Sequence, residues 1–516
     1  MKSIFLPAAL LAASLTSPLL AQDAPVKADN EKAENIVPAA GVEREVKLPV
    51  LTAASAAAPA EQAATPTLTP AQASAVDRLI EEGLRDEIAW VVLESLTTEI
   101  GPRLGGSEAE ARARDWGVRT LRNLGFQNVR VEEFSMPAWS RLSESAEIVS
   151  PFPQELHIAA LGQSPSTPEG GITAEVVRFA TLPELQKAPM TGLEGKIVFV
   201  DEPMARTQDG SGYGTAVAKR GLTAIEGAKR GAVGVLIRSV GTDSHRNPHT
   251  GSSVRGGASL GPLPAAALSN PDADQLARAI IYADGPVTVN LDIQTAWTEN
   301  ATSGNVIGEI RGQTDEIIVI GGHLDSWDNG TGAVDDGSGI AITVAAAKAI
   351  GDMRGRPKRT IRVVMWGAEE VGIFGGKDYA IRHADELDRH VVAAESDFGA
   401  GEIYRFDTRF GESALPKAKP MAEALRRLAI TPGNNMAFGG ADISPIRDLG
   451  VPVVSLRQSG WDYFDLHHTP DDTLDKVDKE KLRQNVAAWS AFLYMASEME
   501  GGFRDEPVET TASASE

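Results

Sequence analysis

Between Gly321 and Gly339 the sequence reads GGHLDSWDNGTGAVDDGSG, which sets one histidine, four aspartates and six glycines directly behind the apolar run EIIVI. Three other stretches repeat the pattern of acid or imidazole behind an apolar run. Glu369 and Glu370 follow TIRVVMWGA, Asp397 ends VVAAESD, and His468 lies beyond VPVVSL. Imidazole and carboxylate together, without thiolate, are the ligand chemistry of zinc or another borderline divalent ion. The chain has no cysteine, so a thiolate is excluded both as ligand and as nucleophile. Five candidate ligands exceed what one tetrahedral catalytic zinc uses. They suit two ions about 3.5–4 Å apart that share a bridging carboxylate and a water. Adjacent side chains leaving a strand point in opposite directions, so Glu369 and Glu370 can divide the work between a proton and a metal.

Within this set several choices are open from residue type alone. His467 and His468 are neighbours and only one is expected to face metal; the same holds for Asp335 and Asp336. Asp328 reads as a loop or helix-capping acid. Asp442, in GGADISPI, could cap a helix or meet a substrate amino group. His157, His245, His249, His383 and His390 lack a surrounding carboxylate constellation in the sequence and read as surface or core residues.

These residues must be held by elements that end close together. From about residue 316 the pattern alternates strand EIIVIGG, helix SGIAITVAAAKAIG, strand TIRVVMW, helix GGKDYAIRHA, strand VVAAESD, helix ALPKAKPMAEALRRL, strand VPVVSL and a long helix from about Lys479 to Met499. Such alternation predicts an α/β fold with a mostly parallel mixed sheet sandwiched by helices. Ligands in these folds gather at the carboxyl ends of the strands, where the candidate residues lie. Upstream, TPAQASAVDRLIEEGL predicts a helix with a Thr cap and Pro in its first turn, and SEAEARARDWGVRTLRNLGF a helix capped by Ser107 and stopped at Gly125. Residues 141–296 change character, with GKIVFVD and GVLIR as strands about the helix AVAKRGLTAIEGAKRG. The short GSGYG at 210–214 lacks the third glycine and the strand-to-helix setting of a phosphate loop, and reads as a flexible loop.

The quoted motifs GGHLDSWD, GAVDDGSG, WGAEEVGIFGG, ESDFGAG, FGGADISPI and HHTPDDT occur in the order found in a known family. With GPRLGGSEAEARARDWGVRTLRNLGFQNV, the chain resembles the co-catalytic di-zinc exopeptidases of metallopeptidase family 28 from about residue 80 to 500. It is most similar to their plasma glutamate carboxypeptidase (carboxypeptidase Q) branch. The resemblance implies two Zn2+ per chain, with His323 and Asp397 on one ion, Glu370 and His468 on the other, and Asp335 bridging both. It implies Glu369 as the general base and Asp325 as the acceptor of the other ring proton of His323. It selects His468 over His467 and Asp335 over Asp336, leaving Asp336 in a supporting role. It also makes residues 141–296 similar to an inserted protease-associated domain, matched on GAKRGAVGVLIR and LPAAALS. Such a unit would act as a lid narrowing access to short peptides.

The expected organisation is a signal peptide over 1–21, an Ala/Pro-rich disordered leader over 22–70, and the first part of the peptidase domain over 71–140. The insert follows over 141–296, the metal-binding part over 297–503 and a flexible tail over 504–516. MKSIFLPAALLAASLTSPLLA has the basic start, interrupted apolar run and terminal small residue of a secretory signal, which predicts a periplasmic or extracellular protein. At 516 residues, 42% hydrophobic and 23% charged, the chain can bury more than one core, and a net charge of −22 argues against nucleic acid or anionic membrane as partners. Peptide is the expected substrate, and the composition suits a monomer or a homodimer alike. The expected function is zinc-dependent exopeptidase action on dipeptides or short peptides through a metal-activated water. The alternatives are an aminopeptidase acting on longer peptides, a single-zinc glutaminyl cyclase, for which the ligand set is too large, and a receptor-like binding protein on the same fold.

Overall fold

The computed structural model describes residues 67–505. The expected signal peptide, nearly all of the leader and nearly all of the tail lie outside the described residues. Among the described residues no helix is long and apolar enough to cross a membrane.

Strand Ile317–His323 forms the middle of the peptidase sheet because IIVI can bury both faces at once. Ile317 and Val319 enter one apolar cluster with Val364, Tyr379 and Ile443, whereas Ile318 and Ile320 enter another with Ile340, Val344 and Trp489. This two-unit periodicity places helices on both sides of the sheet. Each such branched side chain taken out of water contributes about 1.5–3 kcal/mol. The strand pairs in parallel with Thr360–Trp366 and with His390–Glu395, and the latter pairs in parallel with Val453–Gln458. All four run the same way, so their carboxyl ends open on one edge. An antiparallel strand, Ile403–Arg409, continues the sheet beyond Val453–Gln458.

Helix Ser338–Gly351 is buried almost throughout and is covered by Ile88–Glu99 and Lys479–Glu498. The two amino-terminal helices form as their caps predict. Thr69 and Gln72 make a reciprocal cap on Pro70–Gly83, and Ser107 accepts from the Glu110 amide at the start of Glu108–Asn123.

Two long strands, Gln127–Ser150 and Thr288–Ile310, pair antiparallel over most of their length. Thr288–Ile310 also borders Thr360–Trp366 at one end and Ile172–Phe179 at the other. From there Ile172–Phe179, Ile197–Val200, Gly234–Arg238 and Ala265–Leu268 run parallel. The sheet is therefore continuous, and the expected limits at 141 and 296 fall inside the two long strands that carry it across. GSGYG is not a loop: helix Ser211–Ala216 begins there and is followed by Ala218–Lys229.

Candidate metal centre

Each candidate ligand is delivered by the end of an element. His323 closes strand Ile317–His323, and Asp397 follows His390–Glu395 by two residues. After Thr360–Trp366 the backbone turns through Ala368 in the left-handed region, at φ 56°, and so aims the following Glu369 and Glu370 at the cleft. His468 lies two residues past helix Tyr463–Leu466, also left-handed at φ 64°. A non-glycine residue in that region is uncommon; of the six such residues described, Ala368 directly precedes the Glu369–Glu370 pair and His468 is itself a candidate ligand. Asp335 leaves helical geometry at φ −125° and ψ 90°, just ahead of helix Ser338–Gly351.

The two oxygens of Asp335 face different histidines. Its Oδ1 lies 3.0 Å from His323 Nε2, and its Oδ2 lies 3.3 Å from His468 Nε2. Each histidine has a second acid: Asp397 Oδ1 is 3.6 Å from His323 Nε2, and Glu370 Oε2 is 2.9 Å from His468 Nε2. Ligand atoms bound tetrahedrally to zinc at about 2.0–2.2 Å would stand about 3.4 Å apart, so these separations fit two cations joined by one carboxylate. Glu370 Oε1 is buried without a hydrogen-bond partner, as a carboxylate oxygen reserved for a cation would be. His323, Asp335 and Asp397 group closely enough to hold one ion, and so do Asp335, His467 and His468.

His467 therefore approaches the centre more nearly than packing alone requires, its Nε2 being 3.6 Å from Asp335 Oδ2. It stacks on His468 with centroids 3.5 Å apart. Burial and the adjacent His468 hold its pKa well below the usual imidazole value, which keeps the ring neutral. Asp336 turns away from the pair of sites and accepts from the amides of His323 (3.0 Å) and Gly339 (3.1 Å). Asp328 is taken by Arg141, whose Nε and Nη2 reach its two oxygens at 3.0 and 3.1 Å. Asp442 accepts from the Gly376 amide at 2.9 Å. Burial pushes its pKa up to about 8.

Asp325 differs from the sequence expectation. The Nδ1 of His323 lies 3.0 Å from the backbone carbonyl of Asp325, while the carboxylate stands 3.9 Å away. That carboxylate instead accepts the Glu369 amide at 2.9 Å, so its contact is with the backbone of the glutamate pair. A carbonyl fixes the histidine tautomer as well as a carboxylate does, because either accepts the Nδ1 proton.

Four supporting residues escaped the sequence reading. Asp472, three residues beyond Thr469 in the same motif, accepts from the amides of Val334 and Asp335 at 2.6 and 3.2 Å. Arg103 is fully buried among the carbonyls of Leu324, Gly101, Thr331 and Gly332, which ties down the aspartate-rich loop. Thr250 presents its carbonyl to His468 Nδ1, and His249, read as an isolated histidine, joins Asp243 Oδ1 to the His467 carbonyl at 2.7 Å on each side. HHTPDDT held the signal for Asp472; the other three act across more than 200 residues or through backbone atoms, where sequence spacing is silent. Close approach also explains the glycines: a Cβ on Gly322 would stand 2.4 Å from Asp336 Oδ2, whereas Gly332, at φ 60°, needs its left-handed turn.

The electrostatics concentrate negative charge. Burial alone would lower the His323 pKa, but the Asp335 and Asp397 carboxylates outweigh it and hold the ring well above its ordinary value. Burial, followed by neighbouring Asp397 and Asp442, pushes the Glu369 carboxyl well up; burial and Asp335 do the same to Glu370. A carboxyl whose pKa is raised by its surroundings is suited to taking up and returning a proton. The cluster opens into a cleft of about 930 Å³ that Tyr213, Arg220 and Val254 also line.

The profile of Peptidase family M28 matches residues 305–493. Carboxypeptidase Q of Mus musculus is 32% identical over 431 residues, spanning 83% of this chain and 89% of the relative. The crystal structure of a peptidase M28 precursor from Shewanella amazonensis superposes with a TM-score of 0.81 at 46% identity, covering 85% of this chain and 99% of that one. A zinc aminopeptidase from Bacillus subtilis, at 22% identity and TM-score 0.59 over 80% of this chain and 94% of its own, shares the fold.

Proposed function

Because this chain belongs to peptidase family M28 and is a peptidase, we propose that it works as an exported di-zinc exopeptidase on dipeptides or short peptides. The observation that carries this reading is the split of Asp335, one oxygen toward His323 and one toward His468, each histidine backed by its own acid. His323 and Asp397 would hold one ion, Glu370 and His468 the other, with Asp335 common to both. When bound, two zinc ions would supply Lewis acidity toward the scissile carbonyl and an activated water at neutral pH.

The protein residues divide the remaining work. Glu369, held by the Asp325 carboxylate through its amide, would take the proton from the attacking water and deliver it to the leaving amine. His467, kept neutral, would stiffen the loop that carries His468. Tyr213 and Arg220, which line the cleft, would narrow it toward short peptides, and the carboxypeptidase Q relatives support carboxypeptidase-like over aminopeptidase action. Export rests on the amino-terminal sequence pattern.

The test is hydrolysis of unblocked dipeptides by purified protein before chelation, after chelation and after zinc is returned. Loss on chelation and recovery on zinc addition are expected. Undiminished turnover in the chelated, metal-free protein would refute the reading.

A further inference from the structure

Asn329 lies midway along the aspartate-rich loop, six residues after His323 and six before Asp335. It is not a candidate ligand, yet its Nδ2 donates at 2.9 Å to the backbone carbonyl of His468. A carbonyl accepts and cannot donate, so the amide must present its NH2 end, and its Oδ1 is left buried without a hydrogen-bond partner. A leucine of similar shape would avoid that desolvated acceptor, so what the asparagine contributes is the bond to His468.

His468 needs such a bond. Its φ of 64° puts a non-glycine residue in the left-handed region, a conformation that persists where the surroundings over-determine it. The Thr250 N–H donates to the same carbonyl at 3.1 Å, the Thr250 carbonyl faces Nδ1 at 3.2 Å, and Trp327 tilts over the ring with centroids 5.6 Å apart. To these the Asn329 bond adds a direct link from the His468 backbone to the loop that carries His323 and Asp335. Gly330 permits the approach, since a Cβ there would stand 2.5 Å from the Thr469 carbonyl oxygen. Beyond it the Thr331 N–H donates to the Asp472 carbonyl at 2.9 Å, so the loop and the HHTPDDT segment run side by side.

On the di-zinc reading above, we propose that Asn329 is a positioning residue for the ion shared by Glu370 and His468. By holding the left-handed turn at His468 it fixes where Nε2 stands, 2.9 Å from Glu370 Oε2 and 3.3 Å from Asp335 Oδ2. The other pair, His323 and Asp397, hangs from strand ends and does not depend on this bond.

The test titrates zinc from the full chain with a competing chromogenic chelator, for wild type, Asn329→Leu and Asn329→Ala, and records the visible absorption of the cobalt-loaded proteins. Each variant should hold one ion about 10- to 100-fold more weakly than wild type and the other within about 3-fold, with altered cobalt bands. The thermal midpoint of the metal-free variants should stay within about 2 °C of wild type, because Thr250 still satisfies the His468 carbonyl. Two ions held as tightly as in wild type, with unchanged cobalt bands, overturn the proposal. So does equal weakening of both ions with a lower midpoint of the metal-free protein, which would make Asn329 a general support of the loop. Asn329→Ala adds no atoms, so it decides the question if Asn329→Leu does not fold. A wild type that holds fewer than two zinc ions would instead overturn the di-zinc reading, and the proposal with it.

Discussion

The Nδ1 of His468 lies 3.2 Å from the carbonyl oxygen of Thr250, so a segment 218 residues away in sequence orients one histidine of the candidate metal centre. The Thr250 hydroxyl in turn receives Arg141 Nη2 at 3.0 Å, and Arg141 grips Asp328 of the metal-binding loop through two further bonds. Residues outside the cleft lining thus hold the candidate metal centre through the Thr250 carbonyl and the Asp328 carboxylate.

Arg141→Ala should loosen this connection without removing any metal ligand. Groups that orient a ligand typically contribute about 10- to 100-fold in metal affinity. We expect zinc affinity, measured by competition with a chromogenic chelator, to fall by about 10-fold with the fold intact by circular dichroism. Unchanged affinity would show that Thr250 and Asp328 hold their positions without Arg141.

Glu369→Gln preserves size and the hydrogen bond that the backbone N–H of residue 369 donates to the Asp325 carboxylate, while removing the proton acceptor. Activity should fall by about 10²- to 10⁴-fold while the metal content stays at the wild-type level. Near-normal turnover would mean that another group accepts the proton.

Much of this centre was legible because the relevant signal is local. The apolar runs ending at His323, Trp366 and Glu395 marked strands, and the acids and histidines just beyond them marked their carboxyl ends. The long strand Gln127–Ser150 was not legible: its exposed edge carries Glu, Arg and Ser in irregular alternation, interrupted by register shifts around Met136 and Arg141. Tyr213 was missed for a related reason, since GSGYG looks like a loop until the neighbouring helix docks on the cleft. Asp325 was misjudged because sequence cannot distinguish a carboxylate acceptor from the carbonyl of the same residue.

A pH effect follows from a group outside the centre. Burial would raise the Glu386 pKa, but Arg362 and His383 outweigh it and bring the carboxyl down to about 2. A carboxyl depressed in the folded state adds stability above its unfolded value, about 4.3, and loses it as pH falls toward 2. Urea unfolding should show wild type more stable than Glu386→Gln at pH 6, with the difference shrinking between about pH 4 and pH 2. A constant difference across that window would rule out the ionised carboxylate as its source.

The central claim is that Asp335 joins two cations, and metal counting on the purified chain tests it most directly. Elemental analysis after dialysis against metal-free buffer should find two zinc ions per chain, with Asp335→Ala losing both because each histidine–acid pair keeps only two ligands. One ion per chain in the wild type, or two ions retained by Asp335→Ala, would contradict the account.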